Sequence, residues 1–326
     1  MRIAFLTEMG FEGKIPSDHP NMRTEFAWMH ALDADHFNIH SFSKIKDYDH
    51  IFIIFPKGRV YLSAEGSQIV DGTNPVSDLL TKEPVERLKL NNKKVYCIQE
   101  GPHWWWNDYN MFDQVRFFNM MVACDGIFAH NEHDIKYYRG VFPSVPVHTI
   151  PTLMIDSIVE DIQPVREEKV IIGGNFARWY GGMESFAVAQ RLQVPIWGQT
   201  SHAMREGEDQ LVNHLPRVYW TDWMKQLSSF KYAVHLMPTI AAGTFSLNCA
   251  YFGIPCIGNE KVDTQRLCHP NLAVDVEDVE KAALLAERLR DDEDFYKECS
   301  SMAKENYKKY YNEKLFKEKF NTILSI

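Results

Sequence analysis

The chain has 326 residues, 45% of them hydrophobic and 24% charged, and a formal net charge of -9. It is too long for one ordinary core, suits two domains, and shows no low-complexity tract. The acidic balance argues against a surface basic overall, so nucleic acid is not the default partner and only a local basic groove stays open. No run approaches the roughly 20 apolar residues of a membrane span, and the opening MRIAFLTEMGFEG has too short an apolar stretch for a signal peptide. The six cysteines form no CxxC and lie mostly in apolar segments, which predicts reduced, buried thiols in a cytoplasmic chain, host cytoplasm if the source is viral.

In chain order, RIAFLT reads as a strand, NMRTEFAWMHAL as a helix capped by Asn21, HFNIHSF as a strand, and HIFIIFP as a strand buried on both faces. PVERLKLN then reads as a helix, KVYCIQE as a strand, DQVRFFNMMVA as a helix and GIFAH as a strand. This βαβ rhythm predicts a parallel sheet with ligands at the carboxyl ends of its strands. The prolines at 143, 146, 151 and 164 interrupt it. A second βα series follows through KVIIGG, GMESFAVAQRL, VPIWG, YAVHLMP, FSLNCAYFG and PCIGN, and the tail from Asp291 reads as helical with a solvated charged face.

The segment HLMPTIAAGTFSLNCAYFGIPCIGNE ends a strand at Pro238, runs through a small-residue loop and opens a helix near Ser246, closed by Gly253. Unpaired N–H groups and the positive end of a helix dipole then face the loop, an anion site suited to a diphosphate. In the other half, QEGPHWWWND sets a carboxylate, a histidine and three tryptophans behind a strand; three adjacent indoles cannot all enter one core from a regular backbone. The first βα turn offers Gly13 for close backbone approach, but it is not GxGxxG and no Walker pattern occurs, so a dinucleotide enzyme is disfavoured.

LNCAYFGIPCI resembles the L-E-A-M-A-x-G-x-P-V-I stretch of glycosyltransferases with two Rossmann-like domains, the GT-B fold. The ribose-binding Glu of that group falls at Asn248, and the carboxylate eight residues earlier falls at Ile240. GGNFARWYGGMESF resembles the donor loop, with Arg178 at the diphosphate-binding arginine and Tyr180 at the lysine, and CDGIFAHNEHDIKYYRGVF resembles the end of the first domain. The resemblance implies an α/β chain of two Rossmann-like domains facing each other across a cleft. The N-terminal, acceptor-side domain would span 1–153 and the nucleotide-sugar domain 154–305, with a helix at 306–326 packing back toward the first.

It also implies site residues. Gly13, Arg178, Tyr180, Gly198, Gln199, Pro238, Gly243, Thr244, Phe245, Ser246 and Asn248 would bind the donor. Glu100 and His103 would serve catalysis, as proton acceptor or as a group steadying charge at the anomeric carbon. Trp104, Trp105, Trp106, Asn131 and Glu132 would meet the acceptor, although core packing alone accounts for one or two of the tryptophans. His130 and His133, with no further ligand at useful spacing, make a weak metal reading, and Arg178 with a helix N-terminus replaces an obligatory cation. The implied activity is transfer of a sugar from a nucleotide-diphosphate sugar, UDP-linked first of all, to an acceptor hydroxyl. GIFAHNEHDIK also resembles phage enzymes that glycosylate hydroxymethylated DNA bases, which puts such a base beside glycans, lipid-linked and small-molecule acceptors. The competing readings are a sugar-nucleotide epimerase or hydrolase of the same fold, and a non-catalytic nucleotide-sugar or glycan-binding protein.

Overall fold

The computed structural model describes residues 2–7, 12–55, 59–62, 68–71, 85–86, 88–89, 91–99, 101–108, 111–174, 176, 179–199 and 207–325. They fall into two compact units, one of residues 1–16, 28–151 and 319–326 and the other of 17–27 and 152–318.

The first unit is built on β1 (Ile3–Thr7), β2 (Gly13–Lys14), α1 (Glu25–Ala31), β3 (Asp35–Asn38), β4 (His50–Phe55), β5 (Arg59–Leu62), β6 (Gln68–Asp71) and β7 (Lys94–Gln99). It continues through α2 (Met111–Ala123), β8 (Gly126–Ala129), α3 (Glu132–Val141) and β9 (Val147–Thr149). Its main sheet has the order β2-β3-β1-β4-β7-β8-β9, parallel except for the edge strand β2. All five residues of β1 are buried, as expected of a strand covered on both faces. One face is aromatic: Phe5, Phe52 and Tyr96 sit in register and stack at 4.8 and 4.9 Å, and Phe320 closes over Phe52 at 5.3 Å. The other face is aliphatic, with Leu6, Ile51, Ile53, Val95 and Ile127 packed under Phe117, Met120 and Met121 of α2. Period-two alternation along each strand divides the aromatic and aliphatic residues between the faces.

The second unit runs through α4 (Asp156–Val159), β10 (Glu167–Ile172), α5 (Gly182–Ala189), β11 (Ile196–Gln199), α6 (Glu208–Leu211), β12 (Asn213–Leu215), α7 (Trp220–Ser228) and β13 (Phe230–His235). Then come α8 (Thr244–Phe252), β14 (Cys256–Asn259), α9 (Asp263–Cys268), β15 (Ala273–Val274), α10 (Val279–Asp291), α11 (Glu293–Tyr310) and α12 (Glu313–Leu324), whose last residues pack with the first unit. The sheet order is β12-β11-β10-β13-β14-β15, all parallel. Arg166 ties its base together, donating to the carbonyls of Ser228, Phe230 and Phe252.

Several sequence expectations shift. Asn21 does not cap α1; the helix opens at Glu25 after Thr24, whose φ is +47, and Asn21 Oδ1 accepts from Arg23 Nε at 2.6 Å. HFNIHSF keeps strand geometry only to Asn38 and then turns into a 3-10 helix over Ile39–Ile45. The proline-rich interruption holds one more strand, β9, beside β8. PVERLKLN is described only in part and is helical at 85–86 and 88–89. All six cysteines are free and buried. No described helix is long and apolar enough to cross a membrane.

Candidate functional site

In the second unit the strand order reverses between β10 and β13, which directs a ligand to the carboxyl ends of those strands. A helix begins after each of them. α5 opens on Gly181 (φ +63) and α8 on Gly243 (φ +74), and neither residue has a side chain to cap the first turn. The leading amide N–H groups of both helices have no partner within their helix. Glu184 partly offsets the positive end of α5, whereas the first turn of α8 holds no acidic residue, so its dipole is left for an anion.

The loop before α8 is held by residues distant in sequence. Thr264 Oγ1 donates to the Gly243 carbonyl at 2.9 Å and shares a 2.7 Å hydrogen bond with Ser246 Oγ. His269 donates from Nε2 to the Ser246 carbonyl at 3.0 Å, which fixes its tautomer, since only an N–H can bond a carbonyl oxygen. Asn259 Nδ2 donates to the Met237 carbonyl at 2.8 Å and steadies the turn into Pro238. On the other side of the reversal, Leu236 N donates to Ser185 Oγ at 2.9 Å and presses α5 onto the end of β13. Sequence reasoning missed Thr264, His269, Asn259 and Ser185, because nothing in their spacing marks them.

The expected donor residues divide accordingly. Thr244, Phe245 and Gly243 stand at the opening of α8, half-buried, and Pro238 is exposed in the loop before it. Asn248 lies on the same helix and is 5% exposed. The Ser246 hydroxyl is buried and bound to Gly243 and Thr264, which locks the loop and leaves the backbone of that turn as its means of meeting an anion. The reason for glycine at 243 also changes, since an added Cβ would meet Thr264 Oγ1 at 2.0 Å, a neighbour within the protein. Tyr180 packs over Gly174, Gly198 is buried in β11, and Gln199 ends that strand one position out from the reversal. Gly13 belongs to the first unit; its φ of +113 favours glycine, and no described residue would crowd a Cβ there. Arg178 and Glu100 lie outside the described residues. A depression of about 640 Å³ bounded by Ile158, Glu167, Lys225 and Ser229 sits at the opposite, amino end of the sheet, away from these helix openings.

His269 and His235 give the second unit a pH dependence. Burial pushes both imidazoles down from 6.5 to about 4, and His235 Nε2 has no partner among the described residues where its ring meets Phe245 at 4.9 Å. As pH falls below 6.5 the unfolded chain takes up protons that the folded rings refuse, so stability declines until about pH 4. The loss from His269 reaches roughly 3 kcal/mol at the bottom of that window. Denaturant midpoints measured from pH 7 to pH 4 should fall on this slope, and His269→Gln should flatten it.

The first unit answers the question raised by the tryptophans. His103 opens a 3-10 helix over His103–Asp108, and its Nδ1 lies 2.8 Å from Asp134 Oδ1. Asp134 is buried; its other oxygen accepts from Asn131 Nδ2 at 2.9 Å, and its backbone N–H donates to Asn131 Oδ1 at 2.8 Å. With the carboxylate so fixed, neutral His103 carries its proton on Nδ1 and a lone pair on Nε2. The ring rests on Tyr137 at 4.1 Å and near His133 at 4.9 Å. Asn131 is thus the N-cap of α3, 1% exposed, with its side-chain amide bonded to Asp134. Glu132 is exposed in the first turn of α3.

Trp106 is a packing residue. It stacks on Phe117 at 5.0 Å, joins the aliphatic core and donates Nε1–H to Tyr137 Oη at 3.0 Å. Trp104 is half-buried, and the side chain of Trp105 lies outside the described residues. Because Trp106 is only partly buried, Trp106→Ala should cost about 2 to 3 kcal/mol in urea unfolding, less than a fully buried indole, with UDP affinity unchanged. Among the described residues no three His, Cys, Asp or Glu side chains gather as metal ligands do.

No family model matches this chain, and no curated protein does. Solved structures do. An α-glucosyltransferase solved with UDP and a 13-mer DNA containing a HMU base is 12% identical with a TM-score of 0.64, over 99% of each chain. HepE of Anabaena, solved with UDP, is 10% identical with a TM-score of 0.66, over 100% of each chain. The fold is GT-B. TarM of S. aureus, solved with UDP, shares it at 13% identity and a TM-score of 0.60; the match covers 87% of this chain and 57% of TarM, so the chain spans little more than half of that protein. In GT-B terms, the two Rossmann-like sheets expected from the sequence are the sheets of the two units.

Proposed function

We propose that this chain is a glycosyltransferase that moves a sugar from a nucleotide-diphosphate sugar, UDP-linked, to an acceptor hydroxyl in the cytoplasm. The observation that carries the reading is the pair of glycine-opened, uncapped helices at the strand reversal of the second unit, α8 lacking any acidic residue in its first turn. Backbone N–H groups and a helix dipole there suit a diphosphate, and GT-B structures similar to this one were solved with UDP. Arg178 adds bidentate donors to the phosphates, and the Asn248 amide takes the ribose hydroxyls. His103, its Nε2 lone pair set by Asp134, takes the proton from the acceptor hydroxyl. A domain boundary at 153/154 belongs to the same reading.

The acceptor class follows the full-length likeness to the α-glucosyltransferase solved with HMU-containing DNA. A hydroxymethylated pyrimidine is therefore the first acceptor to test. Glycans and small molecules form the comparison set, because the net charge of -9 is unusual for a protein that grips duplex DNA. Calorimetry with UDP tests the donor half of the reading: saturable binding is expected, and its absence would remove the nucleotide sugar. Asn248→Ala should weaken UDP about tenfold while leaving inorganic diphosphate unaffected, the signature of a lost ribose contact.

A further inference from the structure

The helix α2 is apolar on two sides. Asp113, Phe117, Met120 and Met121 are buried toward the sheet, which accounts for one face. On the other face Met111 is 73% exposed, Phe112 72%, Val115 51%, Phe118 40% and Val122 41%. Met111, Val115, Phe118 and Val122 are spaced four, three and four apart, the a/d repeat of a helix seam, with Phe112 widening it. Phe118 rests with one side on Phe142 at 5.1 Å and the other four side chains are not needed by the sheet beneath; a lone surface helix rarely carries such a stripe.

We infer that this stripe of α2 is a self-association surface, and that its occupant is the same helix of a second copy of this chain. The first argument is area. The five side chains expose about 500 Å² per chain, so a two-fold pairing buries about 1,000 Å², the lower limit of a specific interface. The second is charge. The only ionised residues of α2 are Asp113 and Arg116, and they bridge each other at 3.9 Å, with the Arg116 guanidinium over Phe112 at 5.1 Å. The positions flanking the seam are Gln114, Asn119 and Met121, so two identical helices meet without like charges. A membrane surface is the poorer occupant, because the helix lacks the fringe of Lys and Arg that anionic lipid demands and the whole chain is acidic. This inference stands independently of the proposed activity.

Sedimentation velocity tests it with the full chain. The wild type should move from monomer to dimer with a midpoint on the order of 10 μM, as a small apolar interface gives. Val115→Glu and Val115→Lys, both at an exposed position, should each remain monomeric, with unaltered circular dichroism and UDP affinity. An equimolar mixture of the two variants should dimerise again, because opposite charges then face each other across the seam. A wild type that stays monomeric to 100-fold above that midpoint would overturn the inference. So would single variants that dimerise like the wild type, a mixture that stays monomeric, or a monomer that binds phosphatidylcholine vesicles through this stripe.

Discussion

Gly181→Ala is expected to destabilise the protein by about 3 kcal/mol or more, one of the largest single-site losses in the chain. The methyl group would stand 1.9 Å from the Leu236 carbonyl oxygen and 2.7 Å from its carbon, backbone atoms that cannot rotate aside. The residue is also held at φ +63, where a side chain costs about 1 to 2 kcal/mol. Gly207→Ala is the control: its φ of +79 carries the same conformational cost, but no described residue lies within 4 Å. Urea unfolding should place Gly207→Ala about 1 kcal/mol below wild type, with Gly181→Ala clearly lower still. Because α5 opens on Gly181, the variant should also lose UDP affinity. Equal stability for the two variants would show that α5 does not press on β13 as described.

His103→Ala is expected to lower turnover by roughly 100-fold or more, the usual contribution of a positioned general base, with UDP affinity unchanged. Asp134→Asn is the sharper probe. An amide in place of the carboxylate can turn its N–H₂ toward His103 Nδ1, which shifts the ring proton to Nε2 and removes the lone pair from the working nitrogen. Turnover should fall nearly as far as in His103→Ala, and the pair should be far from additive because the residues act as one unit. Asp134→Asn with normal turnover would reduce the pair to a structural hydrogen bond at the start of α3.

The sequence made the strands legible because the parallel sheets bury them on both faces: HIFIIF and YAVH are apolar enough to leave no other reading. It also marked Gly253 as the close of α8, which the structure places at φ +67. The edges of the sheets were less visible. β2 and β12 have two and three residues, too few for a period to show. At the site, His103 could be singled out from its place behind a strand, whereas its partner Asp134 could not, since 31 residues separate them and only the packing of α3 against the 3-10 helix joins them. Asn131 is ambiguous in the sequence for a definable reason: a polar residue at a strand end suits a ligand and an N-cap equally, and the structure shows the cap. The bond that holds the Ser246 hydroxyl was hidden in the same way, its partner Thr264 lying in α9 eighteen residues on.

Sugar transfer is tested most directly by mass spectrometry of acceptors. The protein would be incubated with UDP-glucose or UDP-N-acetylglucosamine and with a panel of oligonucleotides bearing hydroxymethylated pyrimidines, glycans and small alcohols. One acceptor class should gain the mass of a single sugar, matched by released UDP, and His103→Ala should abolish the gain. Release of UDP with no acceptor gaining mass, or tight UDP binding with no turnover on any donor and acceptor pair, would contradict sugar transfer.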